Sequence, residues 1–349
     1  MTTQKTEAPK TDLPGLDLAR FAAHYESVRP GELGPDLTAT LIAGGKSNLT
    51  YRLTDGTRRL VVRRPPLGHV LSTAHDMSRE FTVMSALAGT DVPVPGVHLL
   101  CEDPDVLGAS FYVMDEIAGH TYRDAEQLVE VGPERTEKIA LELVDTLARL
   151  HAVDPTEVGL ESFGRPAGFL PRQVRRWTTQ LEASHHRPLA GATELAENLA
   201  ASIPDEIAPT IVHGDFRLDN ALVGDDDSIL AVLDWEMATL GDPLTDVALM
   251  LTYQRVAGLP GGDRIMSATN APGHPDVAAL TERYAATSGR DVSALSWYVA
   301  LAHFKLAVIL EGIDHRFAQG QTVGEGFDRV GDLVEPLLAA GLAAWKELS

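Results

Sequence analysis

The chain has 349 residues, enough for one large domain or two moderate ones, and its composition is that of an ordinary globular protein. Its 29 basic and 50 acidic residues give a formal net charge of −21, which argues against general nucleic-acid binding because that requires a basic surface. The lone Cys101 excludes a disulfide framework and cysteine-rich zinc modules, and suits a cytoplasmic setting. No apolar run approaches about 18 residues, so no membrane span is expected.

The excess of acidic residues has two interpretations. It can keep the protein soluble, or it can steer a cationic substrate into an acidic cleft. The first 15 residues are polar and predict a flexible arm without a signal peptide.

The pattern of residues 16–117 predicts a small β-rich lobe. Its predicted elements are a helix at 16–25, three strands within 38–64, a helix at 77–87, and two strands within 91–103 and 110–119. The Asp55-Gly56 pair predicts a turn between the second and third strands.

The remainder, residues 118–349, is predicted to be mainly helical. Helices are expected at 134–151, 173–182, 194–202, 243–256, 277–288, 295–312 and 327–342. The exception is residues 210–236, which read as short apolar strands around an Asp-rich turn. The chain is therefore predicted to be α+β, with a β-rich lobe followed by a helical lobe that carries one strand-loop-strand segment.

That segment contains the most informative residues of the chain. It reads HGDFRLDN from His213 to Asn220, and Asp234 follows the next apolar strand. Phosphoryl transfer needs a carboxylate that orients the acceptor hydroxyl and takes its proton, and oxygen ligands for magnesium. Asp215 would be the base, and Asn220 and Asp234 the ligands. The alternative is that these residues only cap turns, which would hold for a lone Asp but fits the full set poorly.

The segments HGDFRLDN and VLDWEMATLGDPLTDVALM resemble the aminoglycoside phosphotransferase and choline kinase family, distant relatives of protein kinases. More narrowly they resemble the branch with kinase domains fused to acyl-CoA dehydrogenases. The resemblance runs from about residue 41 to 345 and implies a protein-kinase-like two-lobed fold that uses ATP and Mg²⁺. It implies Asp215 as catalytic base, Asn220 and Asp234 as magnesium ligands, and His213 and Asp246 as structural support of the loop.

A glycine turn in the first lobe is a candidate phosphate-binding element. Gly44, Gly45, Ser47 and Asn48 lie between two predicted strands, where backbone N–H groups of a flexible turn can face phosphates. A Walker A motif is excluded because Thr40 stands where its first glycine belongs and a strand follows.

The third strand lacks the lysine with which kinases hold the α- and β-phosphates. Arg63 is the positional match, and its guanidinium can bind phosphate through two hydrogen bonds. Glu80 is its expected partner, and Arg64 is expected on the opposite face of the strand. The alternative is a solvated strand end.

The segment from Ser110 to Gly119 fits the link between lobes. Adenine is expected to bind the backbone of Glu116 and Ile117, with Met114 packing on it. Among the tryptophans, Trp177 and Trp297 are interpreted first as core residues, with a place in the acceptor site left open.

These observations predict a phosphotransferase that moves the γ-phosphate of ATP to a hydroxyl of a small molecule. The acceptor is left open between a hydroxyacyl thioester or other metabolic alcohol and an aminoglycoside. The alternative function is a regulatory nucleotide-binding pseudo-kinase, since the third-strand lysine is missing. No nucleic-acid or membrane partner is expected, and a homodimer is a possible assembly.

Overall fold

The computed structural model describes residues 12–42, 48–67, 76–264, 266–320 and 329–347. These residues form two compact units. The first runs to Ala118 and includes Ala231–Ala238, and the second comprises Gly119–Leu230 and the chain from Thr239 onward.

The first unit is built on an antiparallel sheet. Its elements are β1 (Asp12–Leu13), β2 (Leu16–Asp17), α1 (Leu18–Val28), β3 (Thr38–Leu41), β4 (Leu49–Thr54), β5 (Arg59–Arg64), α2 (Met77–Leu87), β6 (Val97–Cys101), α3 (Pro104–Leu107) and β7 (Phe111–Asp115). Five of the strands form one sheet in the order β3-β4-β5-β7-β6. Strand β5 is therefore central, with β4 and β7 hydrogen-bonded on its two sides.

Local sequence signals account for the turn before β5 and for the start of α2. Asp55 accepts hydrogen bonds from the backbone N–H groups of Thr57 and Arg58, and Gly56 supplies a φ of 89°. Asp76 caps α2 by accepting from Ser78 N and Arg79 N. The buried residues of α2 recur at helical spacing, and one of them is the carboxylate residue Glu80.

The segment Ala231–Ala238 belongs to the first unit although about a hundred residues separate it from the rest. Val232 N–H donates to the Pro93 carbonyl at 2.9 Å. Arg79 Nε donates to the Ala238 carbonyl at 2.7 Å. These bonds place Asp234 in the same unit as β5 and α2.

The second unit is mainly helical. Its elements are α4 (Ala125–Val131), α5 (Pro133–Ala152), α6 (Phe169–Ser184), α7 (Ala192–Ala201), β8 (Thr210–Val212), β9 (Ala221–Val223), β10 (Ile229–Val232, which runs into the segment of the first unit), β11 (Thr239–Gly241), α8 (Leu244–Ala257), α9 (Val277–Ser288), α10 (Leu295–Ala318) and α11 (Val334–Lys346). β8 pairs with β11, and β9 with β10. The loop between β8 and β9 carries the motif residues.

Helix α10 is the core helix of the second unit and packs against α6, α7, α8 and α11. It is also the one helix of the described residues whose length and mean hydropathy would suffice to cross a membrane, and 78% of its most apolar stretch is buried inside the protein. His303 and Lys305 interrupt its apolar run, so the sequence alone predicts no membrane span here. Buried core helices often meet this criterion.

Three boundaries differ from the predictions at the chain ends. The arm predicted for residues 1–15 is structured from Asp12 onward, because β1 pairs with β2 in a hairpin. The first helix begins at Leu18 rather than residue 16, since Asp17 caps it by accepting from Arg20 N. The helix predicted at 327–342 begins only at Val334 and continues to Lys346.

Helices α6, α10 and α4 of the second unit also differ from the predictions, and α6 begins at Phe169 rather than at residue 173. Helix α10 continues to Ala318, beyond the predicted end at 312, because a buried glycine, Gly312, does not stop it. The short helix α4 was not predicted. Its signal was present, since Asp124 and Gln127 form a capping box at its start.

Candidate active site

Three charged side chains of the first unit form a cluster around β5. Arg63 Nε lies 3.4 Å from Glu80 Oε1, and Arg63 Nη2 donates to Asp234 Oδ1. Tyr112 Oη donates to the other oxygen of Glu80 at 3.1 Å. The structure thus brings Arg63 and Glu80 together as expected from the sequence, and adds Asp234 to the pair.

Burial and neighbouring charges shift the pKa values of Glu80 and Arg63. Burial raises the pKa of Glu80 to about 7, although the positive charge of Arg63 acts in the opposite direction. For Arg63, burial alone would lower the pKa, but the charges of Glu80 and then of Tyr112 and Asp234 raise it above its ordinary value. The guanidinium therefore remains charged.

Asp234 has an unusual backbone conformation. Its φ of 67° and ψ of 54° lie in the left-handed region, which non-glycine residues adopt rarely and at a cost. Its side chain is 30% exposed, and only Oδ1 accepts a hydrogen bond from the described residues. No donor among the described residues bonds to its second carboxylate oxygen.

Arg64 lies on the opposite face of β5, where its side chain binds backbone carbonyls. It is 4% exposed, and its Nη1 donates to the carbonyls of Gly15 at 2.6 Å and Leu107 at 2.7 Å. Because side chains alternate along the strand, Arg63 lies beside two carboxylates, whereas Arg64 lies on the other face and bonds to the backbone of two other segments.

The end of β7 holds the three residues predicted to contact adenine. Met114 is buried opposite Val61. Glu116 already uses its backbone N–H, which donates to Arg59 at 3.2 Å, and its carboxylate, which pairs with Arg52 at 2.6 Å. No backbone hydrogen bond of Ile117 is present among the described residues. The peptide groups that remain for a ligand are the Glu116 carbonyl and those of Ile117.

Of the predicted phosphate-binding turn, Gly44, Gly45 and Ser47 lie outside the described residues. Asn48, which ends the turn, is buried with 5% of its surface exposed. The role of the turn stays a prediction.

In the second unit, Asp246 holds the backbone of the loop that follows β8. Its carboxylate accepts from His213 N–H at 2.6 Å and from Gly214 N–H at 2.8 Å, and lies 3.4 Å from His151 Nε2. Burial would raise the pKa of Asp246, but the hydrogen bond and charge of His151 bring it below its ordinary value. Asp246 therefore acts as a buried ionised brace.

His213 faces the interior of the same loop. It is fully buried, packs edge-on against Phe216, and its Nδ1 accepts from Asp215 N–H at 3.2 Å. These contacts are those of a scaffold residue.

The side chain of Asp215 is held by three neighbours. Tyr253 Oη donates to Oδ1 at 2.8 Å, Asn220 Nδ2 donates to Oδ2 at 3.2 Å, and Arg217 Nε lies 3.3 Å from Oδ2. The carboxylate nevertheless remains 23% exposed. It is thus fixed in orientation and still reachable by a ligand.

Comparisons with known proteins show the family of the chain. The sequence profile of the phosphotransferase enzyme family matches residues 38–285, which is most of the chain. The chain belongs to the phosphotransferase enzyme family. The β-sheet unit and the helical unit accordingly form the α+β, kinase-like fold predicted from the sequence.

Among curated relatives, rat acyl-CoA dehydrogenase family member 11 is 35% identical over 336 residues, which cover 94% of this chain and 43% of that protein. The chain thus spans less than half of this relative. A candidate aminoglycoside phosphotransferase of Ralstonia eutropha is 31% identical, with a TM-score of 0.83 and coverage of 97% and 99%.

A more distant structural neighbour carries bound ligands. The aminoglycoside phosphotransferase APH(4)-Ia, solved with ADP and hygromycin B, has a TM-score of 0.59 at 16% identity, with coverage of 88% and 93%. At this identity the similarity shows the fold only.

The two predicted magnesium ligands of this family member each offer a suitable oxygen. Asn220 donates through Nδ2 to the carbonyl and to the carboxylate of Asp215, and its amide oxygen accepts no hydrogen bond from the described residues. Asp234 has one carboxylate oxygen that accepts no hydrogen bond from the part of the chain that the structure describes. Such hard oxygens fit Mg²⁺. Within the described ranges, no group of three or more His, Cys, Asp or Glu side chains could hold a metal ion.

Two residues around the loop were missed in the sequence analysis. Tyr253 lies seven positions after Asp246, two helical turns along the same face of α8, and this spacing was a usable signal. Lys305 Nζ donates to the Gly214 carbonyl at 3.0 Å, and its signal was a single lysine within the apolar helix α10. Burial, and then the charge of Asp215, raise the pKa of Tyr253 well above its ordinary value, so it stays a donor.

Proposed function

We propose that the chain is an ATP- and magnesium-dependent phosphotransferase that moves the γ-phosphate to a hydroxyl group of a small molecule. The observation that carries this proposal is the Asp215 carboxylate, which is exposed to a ligand yet held by Tyr253 and Asn220 on a loop braced by Asp246. The family match and the nucleotide-bound structural neighbour support it.

On the acceptor side, Asp215 is the group that orients the hydroxyl. A hydroxyl that donates to the carboxylate has its oxygen turned toward the phosphorus, and its proton passes to Asp215 as the new P–O bond forms. Tyr253 and Asn220 hold the carboxylate in one rotamer, which limits the reorganisation before the reaction.

On the nucleotide side, Arg63 is proposed to hold the α- and β-phosphates while Glu80 keeps its guanidinium in place. Asn220 and Asp234 would be the protein ligands of magnesium, which when bound neutralises phosphate charge. Glu116 and Ile117 are proposed to contact adenine through their remaining peptide groups, beside Met114. Gly44, Gly45, Ser47 and Asn48 would cover the phosphates.

The acceptor proposed first is a hydroxyacyl thioester. The rat relative is named an acyl-CoA dehydrogenase family member, and this name favours an acyl thioester as the acceptor. An aminoglycoside is the competing acceptor, because hygromycin B is bound in one structural neighbour.

One observation favours a second function. Arginine replaces the usual lysine, and its guanidinium is already paired with both Glu80 and Asp234. If this arrangement excluded phosphates, the chain would be a regulatory pseudo-kinase rather than an enzyme.

The test is an acceptor screen with purified protein, ATP and MgCl₂. Hydroxybutanoyl-CoA with the hydroxyl on the second, third or fourth carbon, and hygromycin B, are the probes. Acceptor-dependent ADP release with a product heavier by one phosphate supports the enzyme. Tight nucleotide binding by calorimetry without any phosphorylated product would support the pseudo-kinase instead.

A further inference from the structure

A group of cationic and N–H donors lies beside the catalytic loop in the second unit. We call Trp177, Arg176 and Lys305 the donor cluster. The guanidinium carbon of Arg176 lies 5.0 Å from the ring centroid of Trp177, and Lys305 Nζ lies 5.8 Å from the same ring. The cluster therefore gathers two positive charges at one buried indole, which is 4% exposed.

The donors of this cluster are largely unused. Within the described part of the chain, the Arg176 guanidinium and the Trp177 indole N–H make no hydrogen bond or ion pair, and the Lys305 ammonium makes one hydrogen bond, to the Gly214 carbonyl. An ammonium has three donors and a guanidinium five. The set thus presents many donors without a matching acceptor.

Among the described residues, neither Arg176 nor Lys305 forms an ion pair with a carboxylate, in contrast to several arginines of the second unit. Arg283, for example, binds Asp145 through two hydrogen bonds, and Arg187 pairs with Glu311. In a chain with 21 more acidic than basic residues, an acidic neighbour is easily supplied. Two neighbouring cations that form no ion pair can take an external anion as a partner.

The position of the cluster relates it to the acceptor. Lys305 is bonded to Gly214, the residue before Asp215. Burial lowers the pKa of Lys305, whereas the charges of Asp215 and Asp246 raise it and that of Arg176 lowers it.

We propose that the donor cluster binds an oxyanion of the acceptor while the acceptor hydroxyl lies at Asp215. This proposal rests on the proposed phosphotransferase function and makes the acceptor an anionic hydroxy compound. The oxyanion can be the carboxylate of a free hydroxy acid or a phosphate of a coenzyme A thioester, since both present the same acceptor chemistry.

The experiment is calorimetric binding in the presence of a non-hydrolysable ATP analogue and MgCl₂. The probes are hydroxybutanoate, hydroxybutanoyl-CoA and the uncharged N-acetylcysteamine thioester of the same acyl group. Arg176→Gln is the decisive variant, because the side chain is exposed and makes no hydrogen bond that folding requires. Arg175→Gln, the exposed neighbouring arginine, is the matched control. Lys305→Met is informative too, although it also removes the bond to Gly214.

Arg176→Gln should weaken binding of an anionic probe about tenfold or more and leave the uncharged thioester unchanged, while Arg175→Gln binds as wild type. The probe that loses affinity, free acid or CoA thioester, identifies the source of the oxyanion. Unchanged binding of both anionic probes in Arg176→Gln, or no binding of either to the wild type below millimolar concentration, overturns the proposal.

The same protein preparations separate this proposal from the broader one. Phosphorylation of hygromycin B but of no anionic probe would leave the phosphotransferase function standing and contradict the anion site. Anion binding that depends on Arg176, without any phosphate transfer, would support the anion site and contradict the phosphotransferase function.

Discussion

The phenol of Tyr253 shows how one residue outside the motif can decide the orientation of the proposed base. Tyr253→Phe removes the donor to Asp215 Oδ1 and little else. Hydrogen bonds to charged groups contribute about 1.5–3 kcal/mol. We therefore expect kcat to fall about tenfold or more with the KM for ATP unchanged, measured by steady-state kinetics on the acceptor found in the screen.

Tyr298→Phe is the matched control for that variant. Tyr298 is also buried and its hydroxyl also donates to an aspartate, Asp242, at 2.8 Å. It should lower the free energy of unfolding without a comparable loss of kcat. Equal kinetic effects of the two substitutions would show that Tyr253 matters only for stability.

Glu80 predicts a dependence of stability on pH. Its pKa is raised by burial from 4.5 to about 7, so between these values the folded protein retains a proton that the unfolded chain has released. This contribution to stability is fully present below pH 4.5 and is lost as pH rises toward 7. By linkage the loss is roughly 3 kcal/mol.

Urea denaturation of wild type and Glu80→Gln across pH 4 to 8 measures this effect. The stability of the wild type relative to the variant should decline over that range, because glutamine does not titrate. A difference that stays constant with pH, or that rises, would mean that Glu80 is ionised throughout beside Arg63.

At the level of elements, strand β5 places the neighbouring residues Arg63 and Arg64 on opposite faces of the sheet. Arg63→Ala should weaken the binding of ATP by roughly 10- to 100-fold. It should weaken the binding of adenosine far less, because adenosine has no phosphate for Arg63 to contact. Arg63→Lys should recover part of the loss, because the charge returns without the two-pronged guanidinium. Calorimetric titrations with both ligands measure this.

Arg64→Ala should act on stability instead. It removes three bonds to backbone carbonyls from a buried side chain, at a cost of roughly 2–4 kcal/mol in the free energy of unfolding, with ATP affinity retained in the folded protein. If Arg64 rather than Arg63 controlled ATP binding, the assignment of the two faces would be wrong.

Elements with strong local signals could be predicted from the sequence. Helix α2 was predicted with its observed bounds because Asp76 caps it and its apolar positions are regular. The C-terminal end of α10 could not be predicted from the sequence. The helix continues beyond Gly312 because packing against neighbouring helices, rather than local helix propensity, stabilises it. Nor could the role of Tyr253 be predicted, because its bond to Asp215 joins residues 38 positions apart.

For the whole molecule, the kinase-like α+β architecture followed from the order of β-rich and helical segments together with the motif. The exact bounds of the two units could not be predicted from the order of residues in the chain. The segment Ala231–Ala238 belongs to the first unit, because it is hydrogen-bonded to Pro93 and Arg79. This arrangement places Asp234 beside Arg63. The cytoplasmic setting and the possible homodimer stay predictions.

The central claim is that Asp215 is the base of a phosphoryl transfer, and its most direct test is the turnover of Asp215→Asn. The substitution keeps the size of the side chain and its contacts with Tyr253, but an amide cannot take the acceptor proton. Phosphate transfer from ATP to the acceptor, followed by mass spectrometry in a variant whose thermal unfolding matches wild type, should fall by ~10²–10⁴-fold. Near-normal transfer by that folded variant would contradict the account.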